Sequence, residues 1–150
     1  MTKRSIAACK QVTLVAHSRR EAIRYACRSP RQVIGASRTH AKGIIVFDNS
    51  GRFTFVTTRS DLPKFASNNR TTGTDTENKA VLQGSLAYFG TFSIDEIDNS
   101  YTVQIESSIF PNWVGTSQKR KIVFSGDEFT LSNPAGSSGG VIESKYIRAK

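Results

Sequence analysis

From residue 42 onward the chain contains no cysteine and no histidine. That absence excludes from this stretch a disulfide, a thiolate nucleophile, a serine–histidine pair and a histidine-ligated metal. Few enzyme chemistries survive the exclusion, and no catalytic residue, metal ligand or cofactor is assigned. Long apolar runs are missing too: nothing approaches the roughly 18 consecutive apolar residues of a membrane-spanning helix. A secretory leader is not expected, because Lys10 interrupts the start before an apolar stretch can build.

Acids are scarce at one end only. Residues 1–42 hold 10 Lys or Arg against the single acid Glu21, which gives +9, whereas residues 43–150 hold 11 of each sign and balance to zero. Both cysteines (Cys9, Cys27) and both histidines (His17, His40) belong to the basic head. The expected organisation is therefore a basic, poorly ordered segment 1–41 and a folded body 42–150. Arg20, Arg24, Arg28 and Arg31 recur at helical spacing. Residues 18–41 are expected to be irregular, or one short helix outside the body, because solvated arginines repel one another and build no core. Three readings of the head stay open. It has the Arg- and Ser-rich, acid-poor composition of a transit peptide. Its stripe could meet nucleic-acid phosphates, the least favoured reading. Or it comes from a shifted reading frame or alternative exon joined near Lys42. Cytoplasmic location is expected, and a mitochondrial one follows from the transit reading.

The body reads as strands. Gly43–Phe47 is an apolar run closed by Asp48-Asn49-Ser50-Gly51, and Arg52–Thr58 follows as the second arm of a hairpin. Residues 60–74 read as a loop, after which Thr76 or Asp75 could cap a short helix over 77–87. Strands resume at Tyr88–Ile94, then at Tyr101–Phe110, where Tyr101, Val103 and Ile105 share a face against Thr102, Gln104 and Glu106. Lys119–Phe124 and Glu128–Leu131 flank the turn Ser125-Gly126-Asp127, and Val141–Ile147 closes the series. The expected core is Ile44, Val46, Phe53, Phe55, Phe89, Val103, Ile105, Ile122, Phe124, Phe129 and Leu131. About seven sequential strands form either a sandwich or a barrel, and periodicity alone does not choose.

Three stretches do choose. Lys42-Gly43-Ile44-Ile45-Val46-Phe47-Asp48-Asn49-Ser50-Gly51-Arg52, Tyr88-Phe89-Gly90-Thr91-Phe92, and Phe110-Pro111-Asn112-Trp113-Val114-Gly115-Thr116 with Gln118 and Arg120 together resemble the lipocalin-like domain family. The resemblance covers about residues 42–150 and implies an all-β, antiparallel up-and-down barrel with one short helix and a central cavity for small apolar molecules. Relatives begin with a Gly-x-Trp strand that helps close the barrel, and the head has none. Incomplete closure is therefore expected at the N-terminal strand, with Gln11–Val15 as the one segment placed to supply it.

Tyr88, Asn112, Trp113, Gln118, Arg120, Phe53 and Phe55 are the candidate ligand-binding residues. Asn112 and Trp113 either line a pocket mouth, or tie down a strand bend and plug a barrel end. Gln118 and Arg120 share a strand face with Ile122 and Phe124. Turned inward, Arg120 would favour an anionic end group such as a carboxylate; turned outward, it would join Lys119 and Lys121 in an exposed cationic cluster. Glu106 and Glu143 are the strand acids that could do proton chemistry, though a solvated face explains Glu106 better. The expected function is binding of a small apolar or amphipathic molecule, with a cofactor-free isomerase or cyclase of the same fold as the alternative. The sequence leaves ligand identity and oligomeric state open.

Overall fold

A computed structural model describes residues 23–32 and 41–148. Eight strands follow one another in chain order, and the last pairs with the first, so the sheet closes into an up-and-down barrel. They are β1 (Ile23–Gln32), β2 (Ala41–Phe47), β3 (Arg52–Arg59), β4 (Ser85–Asp95), β5 (Ser100–Ser108), β6 (Ser117–Ser125), β7 (Glu128–Asn133) and β8 (Ile142–Arg148). Every pairing is antiparallel. One helix, α1 (Asp75–Gly84), stands between β3 and β4, and a 3-10 turn, Pro111–Trp113, stands between β5 and β6.

The tight turns collect at one end of the barrel. At the β2–β3 turn the Asp48 carboxylate accepts from Ser50 N, Ser50 Oγ and Arg52 N at 2.7–2.9 Å. Gly51 takes φ +82°, a conformation that costs glycine least. The β4–β5 and β6–β7 turns lie at this same hairpin end. At the opposite, loop end lie residues 60–74, α1, the 3-10 turn and residues 134–141. The cap of α1 is Thr74: its hydroxyl accepts from Glu77 N while the Glu77 carboxylate accepts from Thr74 N. That reciprocal pair starts the helix one or two residues before the capping positions expected, and Ser85 already belongs to β4.

The core is a column of inward side chains: Ile45, Phe53, Phe55, Tyr88, Tyr101, Val103, Ile105, Trp113, Ile122, Phe129, Leu131 and Tyr146. Where polar and apolar residues alternate in sequence, the expected phase holds, as for Phe53, Phe55, Val103, Ile105, Ile122, Phe129 and Leu131. Phe124 is half-buried against the core. On β2 and β4 the phase is shifted by one. Ile44 and Phe89 are 37% and 43% exposed, Val46 is half-buried, and Ile45 and Tyr88 point inward instead. A run such as Gly-Ile-Ile-Val-Phe has no polar residue to set its register, so only pairing with a neighbour decides which side is in. Gly90 marks the closest strand approach: a Cβ there would lie 1.9 Å from the Gln104 carbonyl oxygen, at a register shift of β4 against β5.

Closure runs through β1, so residues 23–32 form a strand of the barrel, where an irregular segment or a short helix outside the body was expected over 18–41; residues 18–22 and 33–40 of that span lie outside the described residues. Ile23–Cys27 pair with Phe47–Gly43, and Tyr25–Gln32 pair with Arg148–Ile142. Without β1, both β2 and β8 would present open rows of N–H and C=O groups; one strand satisfies both edges. The arginine spacing at 24, 28 and 31 pointed to a helix, and the two waiting edges override it. The weakness anticipated at this strand is visible in its ladder: the register with β8 shifts between Cys27 and Ser29. Pro30, opposite Ser144, has no N–H to donate. Gln11–Val15, Arg20 and residues 33–40 lie outside the described residues.

Candidate functional site

Strand alternation on β6 sends Gln118, Arg120, Ile122 and Phe124 toward the interior and leaves Lys119 and Lys121 exposed. Arg120 is 1% exposed. Its Nη1 donates to the Tyr88 hydroxyl at 2.5 Å and its Nη2 to Gln118 Oε1 at 2.7 Å. Its guanidinium carbon lies 5.1 Å from the Tyr88 ring centre and 5.6 Å from that of Trp113, so two π faces also stabilise the cation. What it does not have is a carboxylate. Among the described residues no Asp or Glu is buried, and the three ion pairs, Arg52–Glu106, Arg59–Asp61 and Lys119–Asp98, all lie on the outside.

Two polar groups at this centre are left over. Arg120 Nε and the Tyr101 hydroxyl are buried, and neither makes a hydrogen bond of good geometry, although the Tyr101 oxygen lies near enough to the guanidinium to interact with it. The two residues face each other across the β5–β6 ladder. An unpaired buried donor costs on the order of 1–3 kcal/mol, more when it is charged. Burial pushes the Tyr88 and Tyr101 phenols above their usual range, against the opposing pull of Arg120. Burial alone would lower Arg120, but the facing phenol oxygens of Tyr88 and Tyr101 outweigh it and hold the guanidinium above its ordinary value. The interior therefore carries one fixed positive charge beside two protonated phenols.

Tyr101 connects this centre to an apolar recess at the hairpin end. The recess is shallow and partly open to solvent, and is lined by Phe47, Phe92, Ile94, Tyr101, Ile122, Phe124 and Phe129. Phe47 meets Phe92 edge-on at 4.8 Å and Tyr101 at 6.1 Å. Phe47, Phe92 and Phe124 are only half-buried.

Six of the seven candidate residues converge. Phe55 stacks on Tyr88 at 4.6 Å, Phe53 meets that ring edge-on at 5.7 Å and Trp113 at 5.4 Å, while Gln118 and Arg120 join through the hydrogen bonds above. Asn112 does not join them: it sits exposed on the 3-10 turn whose Trp113 is buried. Glu106 pairs with Arg52 on the outer face, and Glu143 is exposed. The described residues include no group of His, Cys, Asp and Glu able to hold a metal. Sequence reasoning passed over Tyr101 and the recess residues Phe47, Phe92 and Ile94 as site candidates. Tyr101 shares the phase of Val103 and Ile105, which signals an inward ring but not an unpaired hydroxyl.

Residues 24–145 match the lipocalin-like domain family, so the match begins at β1 and not at residue 42. The chain is also similar to a protein of Aspergillus oryzae named 4'-hydroxy-3'-methoxypropiophenone carrier protein ppsC, at 33% identity over 66 residues. That likeness covers 40% of this chain and 60% of the relative's length. No described helix is long and apolar enough to cross a membrane. With a closed eight-strand barrel and a family match over most of its length, the chain belongs to the lipocalin-like domain family.

Proposed function

We propose that this protein holds a small, largely apolar molecule inside the barrel, with an oxygen-bearing end directed at Arg120. One observation carries the reading: a fully buried arginine without a carboxylate partner, its Nε and the neighbouring Tyr101 hydroxyl unpaired, beside an aromatic recess. Stability alone does not favour such a group, since a buried charge is costly and an apolar residue would fill the space more cheaply. An apolar recess with a few converging polar groups is the usual form of a small-molecule site. The similarity to a protein named as a carrier of an aryl ketone supports binding over turnover. The isomerase or cyclase alternative lacks a comparable support: no histidine or carboxylate is buried among the described residues to move a proton.

Quenching of Trp113, the single tryptophan, provides the assay, with cinnamate and methyl cinnamate as probes. Arg120→Leu is expected to weaken cinnamate by about tenfold or more, the scale of a lost charge-assisted hydrogen bond, and the ester much less. Equal losses for both would make Arg120 a structural group and remove the basis of the reading.

A further inference from the structure

The unpaired groups narrow the ligand's polar end. We infer that the barrel takes up a hydroxyaryl compound as its phenolate, the single oxygen lying between Arg120 Nε and the Tyr101 hydroxyl. This rests on the small-molecule reading above and adds to it the charge state and shape of the bound end.

The first argument is the number of free donors. Both terminal nitrogens of Arg120 already donate, Nη1 to Tyr88 and Nη2 to Gln118. The usual end-on fork that grips the two oxygens of a carboxylate is therefore engaged within the protein. What remains is one guanidinium N–H and one phenol O–H, contributed by opposed residues of adjacent strands. Two donors that converge from different side chains suit one oxygen atom better than a two-oxygen group.

The second argument is charge. Tyr88 from β4 and Tyr101 from β5 are the titratable groups facing Arg120, and both stay protonated, so neither neutralises it. No buried carboxylate on any described element does so either. An incoming neutral phenol would leave the guanidinium uncompensated. Loss of its proton to solvent places an anion against the cation in a low-dielectric interior, where that attraction is strongest.

Shape is the third. Five of the seven recess residues are aromatic (Phe47, Phe92, Tyr101, Phe124, Phe129), a lining suited to the faces and edges of a flat ring. A phenol bearing a para acyl group is acidic enough for its ionisation to need little driving. It combines the flat ring with a single ionisable oxygen.

The test uses the full chain with 4-hydroxyacetophenone, its methyl ether 4-methoxyacetophenone, and benzoate, each followed by Trp113 quenching. The absorption band of the hydroxyketone reports its ionisation independently of affinity. Binding should lower its apparent pKa by about one unit or more, the scale set by a nearby opposite charge. The phenolate band should then appear at a pH where the free compound is neutral. The methyl ether and benzoate should both bind less tightly. Tyr101→Phe should reduce the pKa shift, and Arg120→Gln should abolish it. Quenching with only the neutral band in the unaltered protein would overturn the phenolate assignment while leaving small-molecule binding intact. Tighter binding of benzoate would overturn the single-oxygen argument in the same way. No quenching by any of the three would overturn this inference together with the reading beneath it. Since the unaltered protein's spectrum decides the charge state, an Arg120 variant that fails to fold does not blunt the test.

Discussion

The two ends of this barrel are built from similar residues and behave differently. Toward the loop end, Trp113, Tyr88 and Phe55 interlock at ring separations of 4.6 and 5.4 Å, all of them buried. At the hairpin end, Phe47, Phe92 and Phe124 are half-buried and border a recess. Composition does not account for the contrast, because both groups are aromatic. The connections do. The β5–β6 link folds into a 3-10 turn that drives Trp113 into the interior, with Gly115 at φ +77° leading the chain back to β6. The hairpin turns are short and polar, and they send no plug inward. Among the described residues the barrel is thus tightly packed toward one end and loosely lined at the other, and Arg120 sits between the two groups as the polar boundary.

If the loop end is the packed one, truncation there should cost most. Trp113→Ala is expected to destabilise by about 3–5 kcal/mol in urea unfolding, as for other large buried aromatics. Phe124→Ala, at the recess, should cost roughly half as much or less, because its ring is already half solvated. Equal costs would break the comparison. Gly90→Ala tests the strand approach midway between the ends. Its added Cβ meets the Gln104 backbone, which cannot rotate away as a side chain could, so about 2 kcal/mol or more should be lost. A neutral result would mean that the β4–β5 register gives way easily.

Smaller effects sharpen the contrast. Thr74→Ala removes the capping box of α1 at the loop end and should cost about 1 kcal/mol. Little should propagate to the core, since Gly84 is the helix's one buried residue. At the hairpin end, the Ser50 hydroxyl and the Arg52 N–H hold the Asp48 carboxyl below its usual range. A depressed folded-state value adds stability above the ordinary carboxylate pKa, and that stability is lost as pH falls through the folded value. A shallow decline should therefore appear in stability below about pH 4, and Asp48→Asn should flatten part of it. A decline unchanged in the variant would assign the acid sensitivity to other carboxylates.

How far the molecule could be read in advance varied strand by strand. β3, β5, β6 and β7 each alternate polar with apolar residues, and for these the period-two rule gave both the strand and its inward face. The turns at 48–51 and 125–127 place Gly51 and Gly126 where the backbone takes a positive φ. Residue types also excluded thiol and histidine chemistry from the body before any coordinates. β2 announced itself as apolar, but an unbroken run holds no information about phase, and the choice of Ile45 over Ile44 came from pairing with Phe55. β1 carried arginines at helical spacing, yet it is a strand because two sheet edges needed partners, which is a property of the assembled barrel and not of ten residues.

The site divides in the same way. The amino-acid sequence by itself determined that Gln118 and Arg120 share a face with Ile122 and Phe124, since that follows from covalent spacing. It did not determine which way the face turns, because Lys119 and Lys121 make an outward cationic cluster equally consistent. Tertiary structure decided it by closing the sheet: the small radius of an eight-strand barrel brings Tyr88 from β4, Tyr101 from β5 and Trp113 from the 3-10 turn around one guanidinium. The unpaired Nε and Tyr101 hydroxyl exist only as consequences of that convergence. Local sequence sets what each strand can present; which groups meet, and which are left without a partner, depends on the closure of the ring.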